Sequence, residues 1–502
     1  MPVLALVLLG TMAGLKNTDS SLGSITLPDA AEAFHLSAGM QAFAASVPTL
    51  ALAASALPLG ALSDRLGRRR ILVISLCVLI AGELLSMAAP GTALFVLGRA
   101  VAGVGLGGVF GASFAFVPRI APGSLTAGAL GIWNAAIMPM ALLIQLLGSV
   151  LAEADWRLAY LTLPLVAVPL LVASRLRLPE TEREARPANP PALVAIAAAI
   201  LVFLSGISQL ANDATSPGAW ACIVAGLALF GAWVVLEKRS AHPTFPVSLL
   251  ARPVFIGAVL AGMLFNIALG LLTLQLANFW EYLDGYRAVV VTLGLLPVTV
   301  VAGVGSYLAG RLLARGSRPG VLMTVGLVVC GLGFFTLLPA TVHSPYVLFV
   351  PALLLVPAGI SLVIVPQSQV FVAEAPPGYM GAVTASRIAS GQLGFSVGIA
   401  LSVTLIAIGA DVDFPRLLEA AGVDPARAGT ALTDVQQYAA LKAGKDVAAA
   451  HAVVTASASA YVAGFRFAMF GFGSACLAGA VAVWLLFRPG RRRAAAPDRA
   501  AP

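Results

Sequence analysis

Charge is scarce in this chain. Of its 502 residues only 10% are Asp, Glu, Lys or Arg, whereas 59% are hydrophobic. A water-soluble protein of this length needs a far more polar surface. The mean hydropathy of +0.95 therefore indicates a membrane protein. The net charge of +8 does not indicate a nucleic-acid-binding protein, because the basic residues lie in short, separate loops.

Cysteine and histidine are also rare, with four of each. The cysteines lie in apolar runs without metal-ligand spacing, so we interpret them as packing residues rather than disulfides or zinc ligands. The histidines show no metal spacing either. The sequence contains no H-E-x-x-H or P-loop pattern. We therefore expect no enzyme activity, no catalytic residue, no metal and no cofactor.

Long apolar runs fill the sequence. Fourteen runs of roughly 20 residues are long enough to cross a bilayer as helices, and they lack the alternation of barrel strands. They cover residues 3–27, 38–62, 71–89, 93–117, 125–151, 158–177, 192–211, 219–236, 253–280, 288–310, 320–339, 346–372, 379–409 and 458–487. We predict an all-α multi-pass membrane protein with 14 transmembrane helices.

Two polar, proline-containing stretches, 179–191 and 237–252, divide these runs into six, two and six. We therefore predict two six-helix bundles with a two-helix insert. The boundaries are 1–178 for the N-terminal bundle, 179–252 for linkers and insert, 253–487 for the C-terminal bundle and 488–502 for a cytoplasmic tail. An external loop is expected at 410–457, with short surface helices at Phe414–Ala421 and Ala426–Ala443.

A charged turn between the second and third runs carries the clearest motif: Gly60-Ala-Leu-Ser-Asp64-Arg65-Leu-Gly67-Arg68-Arg69-Arg70. Arginines alone would serve as a basic anchor that fixes membrane topology, but an anchor does not need Gly60, Asp64 and Gly67 at this spacing. The stretch resembles the loop between helices 2 and 3 of the major facilitator superfamily, G-x-L-[SA]-D-R-x-G-R-[RK]. The resemblance implies a cytoplasmic gating motif that holds the inner face closed in the outward-open state. Its residues would be Gly60, Asp64, Arg65, Gly67, Arg68 and Arg69.

The Lys and Arg residues outside the apolar runs indicate how the protein is oriented in the membrane. With the Gly60–Arg70 loop placed inside, most of them fall on the inner side, so both termini are expected to be cytoplasmic. A degenerate copy of the motif, Leu308–Gly316, follows the second helix of the C-terminal bundle. It has Ala314 at the aspartate position. Its place in the chain indicates an internal repeat.

The first run contains Lys16 and Asp19, which lie on one face of a helix and can pair. Ionisable residues at membrane depth are costly and indicate function. The stretch from Thr18 to Pro28 resembles the L-D-x-T-I-V-N-V-A-L-P signature of the fourteen-helix drug:proton antiporters, which implies that Asp19 handles protons. The alternative is a purely structural pair. Lys16 departs from the family pattern and leaves open an anionic substrate.

The fourth run places Arg99 in a stretch that resembles the family's R-x-x-Q-G motif, with Ala102 in place of Gln. The resemblance implies that Arg99 biases the proton site. Glu83 is either a second proton site or a structural partner of Arg99. The same run contains Gly103-x-Gly105-x-x-Gly108, a formal dinucleotide fingerprint. No strand precedes it, so we interpret these glycines as helix-packing residues.

The fifth run departs from the family. Ala141–Ser149 stands where the antiporter motif G-x-x-x-x-G-P-x-x-G-G is expected, and of its last four signature positions only Gly148 is retained. This loss weakens the prediction of strict proton antiport.

Further polar side chains are candidates for a central substrate cavity: Asn134, Gln145, Gln275, Asn278, Glu281, Arg387 and Gln392.

The sequence thus predicts a proton-coupled secondary transporter that exports drug-like or amphipathic small molecules by alternating access. Its partners would be a small-molecule substrate, protons and the lipid bilayer, without nucleic acid. It would act as a monomer in the cell membrane. Two alternatives stay open: an importer or facilitator of the same fold, and a non-transporting membrane receptor or scaffold.

Overall fold

A computed structural model describes residues 2–36, 38–181, 189–212, 216–424, 435–445 and 451–488. These residues form α-helices joined by loops and short 3₁₀ segments, and no strand occurs among them. The all-α prediction is confirmed. The helices run α1 Pro2–Ala33, α2 Ala38–Leu66, α3 Arg68–Met87, α4 Thr92–Ile120, α5 Thr126–Ala154, α6 Thr162–Arg177, α7 Pro190–Asn212, α8 Pro217–Arg239, α9 Pro253–Asp284, α10 Ala288–Gly294, α11 Leu296–Ala314, α12 Pro319–Phe335, α13 Val350–Glu374, α14 Met380–Ala420, α15 Tyr438–Lys442 and α16 His451–Leu486.

Eleven helical spans in the described residues are long and apolar enough to cross a membrane, and one of them, Val289–Ala314, combines α10 and α11. The three other predicted runs coincide with α1, α5 and α12, which are helical but are not among the eleven. α12 has 17 residues, or about 26 Å at 1.5 Å per residue, slightly less than a hydrocarbon core of about 30 Å. The count of fourteen is therefore not confirmed.

Helix α14 continues into the predicted external loop. We expected a separate surface helix at Phe414–Ala421, but α14 continues without interruption from Met380 to Ala420, a length of 41 residues. The reason is an apolar face: Phe414 and Leu418 are buried in a cluster with Ala456 and Ala460 of α16. The beginning of the predicted loop is therefore an extension of α14.

Two large hydrophobic clusters organise the helices. One consists mostly of side chains between Leu6 and Leu178, and the other mostly of side chains between Ala192 and Val483. α2 belongs to both, since Leu52 and Ala56 lie in the first and Leu50, Ala53, Leu57 and Ala61 in the second. α2 therefore joins the two halves, while the predicted domain boundaries stay predictions.

The glycines of α4 lie where neighbouring helices come closest. A Cβ atom at Gly105 would lie 2.4 Å from the backbone nitrogen of Leu79 on α3, and one at Gly103 would lie 2.3 Å from the carbonyl oxygen of Pro48 on α2. Neither distance accommodates a side chain, so the backbones of three helices touch at these glycines. These contacts support helix packing as the role of the triplet.

We predict opposite effects for alanine at two helical glycines. Gly105→Ala forces α3 and α4 apart and should lower stability by about 1–3 kcal/mol. Gly231→Ala on α8, where a Cβ meets nothing within 4 Å, should be neutral or stabilising by up to about 1 kcal/mol. Melting temperatures of the two purified variants in detergent test this. Equal melting temperatures of the two variants would contradict the close contact between α3 and α4 at Gly105.

Candidate functional site

The charged motif forms a tight turn between α2 and α3. Gly67 separates the two helices with φ = +99°, a backbone conformation that favours glycine. α2 ends at Leu66 and α3 begins at Arg68. The turn thus brings Asp64 and Arg68 side by side at one end of the protein, which we call the Asp64 end.

Asp64 joins the two halves of the protein. Its side chain is buried, with 7% exposed. Oδ2 accepts a hydrogen bond of 2.6 Å from the backbone N–H of Gly381, the second residue of α14, and Oδ1 accepts one of 3.0 Å from Arg68 Nη2. The first turn of a helix carries unpaired N–H groups and a partial positive charge. A carboxylate from the first half therefore caps a helix of the second half.

Glycines allow this contact. A Cβ atom at Gly60 would lie 2.4 Å from Cβ of Ala385, and one at Gly381 would lie 2.1 Å from the carbonyl oxygen of Gly60. Any side chain at either position would separate α2 from α14. The spacing of Gly60 and Asp64, one helical turn apart, puts both on the face that meets α14.

Arg68 and Arg69 bind groups on α4 and directly after α6. Arg68 Nη1 donates to the carbonyl oxygen of Ala115 at 2.8 Å, and its backbone N–H donates to Thr181 Oγ1 at 2.9 Å. Arg69 pairs with Glu180 at 3.4 Å. Arg65 is half-buried at the end of α2. Sequence reasoning missed Glu180 and Thr181, although this polar pair directly follows α6 and could have been read as a partner for the arginines.

A second close approach between the halves lies at the same end. α5 and α11 touch where Gly131 faces Gly310, and a Cβ atom at Gly131 would lie 3.0 Å from Cα of Gly310. Farther along the same pair, a Cβ at Gly303 would be 3.9 Å from the carbonyl oxygen of Ala135. α5 and α11 are therefore less tightly packed at Gly303 than at Gly131.

Beyond these two approaches, a cavity of about 410 Å³ lies between the halves. Its lining is mainly apolar and aromatic, with a few polar groups. Lys16, Asn134, Arg387 and Gln392 line it, as predicted from the sequence. Lining residues come from both halves, so movement of one half relative to the other changes the cavity.

Three predicted cavity residues do not line it. Gln275 is buried against α14, where its Nε2 donates to Ser402 Oγ at 2.7 Å. Asn278 is half-buried and Glu281 is exposed, near the end of α9 that lies opposite the Asp64 end. Polarity at membrane depth indicated these side chains, but the rotation of α9 about its axis directs Gln275 elsewhere. The side chains of Asp19 and Gln145 lie outside the described residues.

Among the described residues, the two cations that line the cavity contact neutral groups. Arg387 Nε donates to Gln367 Oε1 at 3.1 Å, and its guanidinium lies 5.0 Å from the ring centroid of Phe114. Lys16 Nζ lies 4.5 Å from the ring centroid of Phe110. Sequence reasoning missed Gln367, although a glutamine directly after Pro366 in an apolar run is a polar group at membrane depth.

Glu83 and Arg99 face each other inside the first half. Both are almost fully buried, and Arg99 Nη1 lies 3.9 Å from Glu83 Oε1. The Arg99 guanidinium also lies 5.2 Å from the ring centroid of Tyr160, whose hydroxyl is 2.6 Å from Thr26 Oγ1 on α1. This polar chain connects α3 and α4 with the helix that carries Lys16 and Asp19.

Comparison with known proteins decides the family. A family model described as Major Facilitator Superfamily matches residues 9–399. The chain belongs to the major facilitator superfamily. It is 27% identical over 497 residues to the multidrug efflux pump LfrA of Mycolicibacterium smegmatis, covering 96% of each chain. It is 28% identical over 393 residues to the puromycin resistance protein pur8 of Streptomyces alboniger, covering 76% of this chain and 77% of pur8.

The fold agrees with this membership. The structure of the proton:xylose symporter XylE bound to 6-bromo-6-deoxy-D-glucose superposes with a TM-score of 0.63 over 96% of this chain and 95% of that chain, at 16% identity. The protein is therefore a multi-pass membrane transporter of the major facilitator superfamily, a family and fold of transporters rather than of enzymes.

The buried pair makes a testable prediction about stability. Removing one partner of a buried ion pair leaves an uncompensated charge and costs about 3–5 kcal/mol, whereas replacing both partners by apolar residues costs much less. Arg99→Met and Glu83→Met should each lower the melting temperature strongly. The double variant Glu83→Met/Arg99→Met should melt higher than at least one single variant. Additive losses in this double-mutant cycle would show that the two groups are not coupled.

Proposed function

We propose that this superfamily member is a proton-coupled exporter of amphipathic small molecules that works by alternating access. The supporting observation is the hydrogen bond from Gly381 N–H to Asp64, which joins the halves at one end of a cavity that both halves line. A protein that keeps one conformation does not need a contact of this kind, in which the capping of one helix closes one end of a cavity. A carrier needs such a contact, because it must form and break in each cycle.

In this proposal the Asp64 end is cytoplasmic. The basic residues of the Gly60–Arg70 turn, placed inside, put both termini in the cytoplasm. The protein then lies in the cell membrane with its cavity closed towards the cytoplasm and available from outside. Gly60, Asp64, Arg65, Gly67, Arg68 and Arg69 act as the gating motif. The carrier works as a monomer, since each chain has its own cavity.

Proton coupling is assigned to the polar groups of the first half. Asp19 takes up and releases the proton, with Lys16 one turn earlier on α1. Arg99 biases that site, and Glu83 holds Arg99 in place from α3. The contact between Tyr160 and Thr26 supports this assignment, because it connects the Arg99 environment with α1. A buried carboxylate near cations has a protonation state that depends on how those cations move.

Export is the direction favoured by the relatives. LfrA is named a multidrug efflux pump, and pur8 a puromycin resistance protein. We propose the same direction and an amphipathic cargo here, because the cavity combines phenylalanine and aliphatic side chains with a few polar groups. The incomplete motif at Ala141–Ser149 favours one alternative, a facilitator that does not couple to protons.

Reconstituted vesicles test the proposal. The purified protein is placed in liposomes with a pH-sensitive dye inside, and amphipathic compounds of positive, neutral and negative charge are added in turn. We expect substrate-evoked proton flux in the wild type and at least a 10-fold loss in Asp19→Asn. The matched control is Asp29→Asn, which removes an exposed carboxylate from the same helix and should keep the flux.

The outcomes separate the alternatives. Compound movement without proton flux, equal in the wild type and Asp19→Asn, would contradict coupling and identify a facilitator. No movement of any compound class would contradict transport of amphipathic molecules. Proton flux that is lost in both Asp19→Asn and Asp29→Asn would contradict the specific assignment to Asp19.

A further inference from the structure

The charged side chains described in the cavity lining are both cations. Lys16 reaches the cavity from α1 and Arg387 from α14, so each half contributes one. Cations at membrane depth are costly unless an opposite charge compensates them. The lining therefore has an unbalanced positive charge.

The described neighbours of these cations do not remove that charge. Arg387 is 5% exposed, and its contacts are the neutral amide of Gln367 and the ring of Phe114. Lys16 contacts the ring of Phe110. Aromatic faces and amides stabilise a cation only in part. A carboxylate at Asp19, on the same helix as Lys16, could balance one of the two cations but not both.

Gln367 holds the Arg387 guanidinium at the cavity wall. It is 1% exposed and lines the cavity. Its Oε1 accepts from Arg387, which fixes the amide so that Nε2 is its free end. Nε2 has no hydrogen-bond partner among the described residues. Nε2 is fully buried and lies against the backbone of Gly262 on α9, so Gln367 acts on the cavity through the orientation it gives Arg387.

We propose that the substrate is an amphipathic organic anion, whose carboxylate or sulfonate is bound by Arg387 and Lys16. Its apolar body packs against the aromatic and aliphatic lining, including Phe110, Phe265 and Phe395. A cavity of about 410 Å³ lies in the range that accommodates drug-sized molecules, roughly 300–1,000 Å³. Because one cation comes from each half, the anion binds both halves at once. This inference rests on the proposed function and specifies the cargo of that site.

Three dansyl compounds test the charge preference, because they share one fluorophore and differ in charge: dansylglycine is an anion, dansylamide is neutral and dansylcadaverine is a cation. Binding to the purified full-length protein in detergent is followed by dansyl emission. We expect dansylglycine to bind at least about 10-fold more tightly than dansylamide, as one charge-assisted contact provides. Dansylcadaverine should bind most weakly.

Variants locate the anion. Arg387→Gln should weaken dansylglycine binding about 10-fold and leave dansylamide binding nearly unchanged. Arg387→Lys retains the charge and should restore most of the affinity, which a merely structural arginine would not do. Arg416→Gln, an exposed position on the same helix, is the matched control and should bind dansylglycine like the wild type.

Equal affinity for the three compounds, or a preference for dansylcadaverine, would overturn the anion proposal. Export would stand in that case if dansylcadaverine still evoked proton flux in liposomes. An equal loss of dansylglycine and dansylamide binding in Arg387→Gln would also overturn it, since the arginine would then act on cavity shape. Absence of binding and of proton flux for all three compounds would overturn both this inference and the proposed function.

Discussion

The hydrogen bond from the backbone N–H of Gly381 to the Asp64 carboxylate is the interaction on which the arrangement of the two halves depends. It joins a negative side chain of one half to the positive end of a helix in the other. It is short, buried and charge-assisted, so its loss costs more than that of an ordinary hydrogen bond. It links two rigid helices, and its exchange for water can convert one state into another.

The contact requires backbones that nearly touch. Gly60 against Gly381 and Gly131 against Gly310 provide two such approaches, one on each pair of facing helices at the Asp64 end. Because both approaches lie at one end, the halves can separate at the other, and the cavity lies between. The same geometry explains why the cavity takes one cation from each half, and why bound cargo would influence their separation.

Contiguous patterns in the sequence predicted the charged turn and the helical character of the chain. The Gly60–Arg70 turn is readable because its residues act within one short segment, and helical character follows from apolar runs. The direction in which a polar side chain points from its helix was harder to predict. Gln275 is as polar as Gln392. Only the packing of α9 against α14 shows that Gln275 donates a hydrogen bond to Ser402 instead of lining the cavity. Partners distant in sequence, such as Glu180 with Arg69, are brought together by the fold, although the polar residues after α6 were a usable signal.

Distances between spin labels test the Asp64 contact most directly. In a variant without its native cysteines, one labelled pair, Leu125→Cys/Arg315→Cys, reports on the Asp64 end. A second pair, Glu32→Cys/Arg287→Cys, reports on the opposite end; all four positions are exposed. Breaking a charge-assisted hydrogen bond of about 1.5–3 kcal/mol shifts a two-state population at least about 10-fold. With Asp64→Ala, the account predicts a new, longer distance at the Asp64 end together with a shorter one at the opposite end. Unchanged distances at both ends would contradict it.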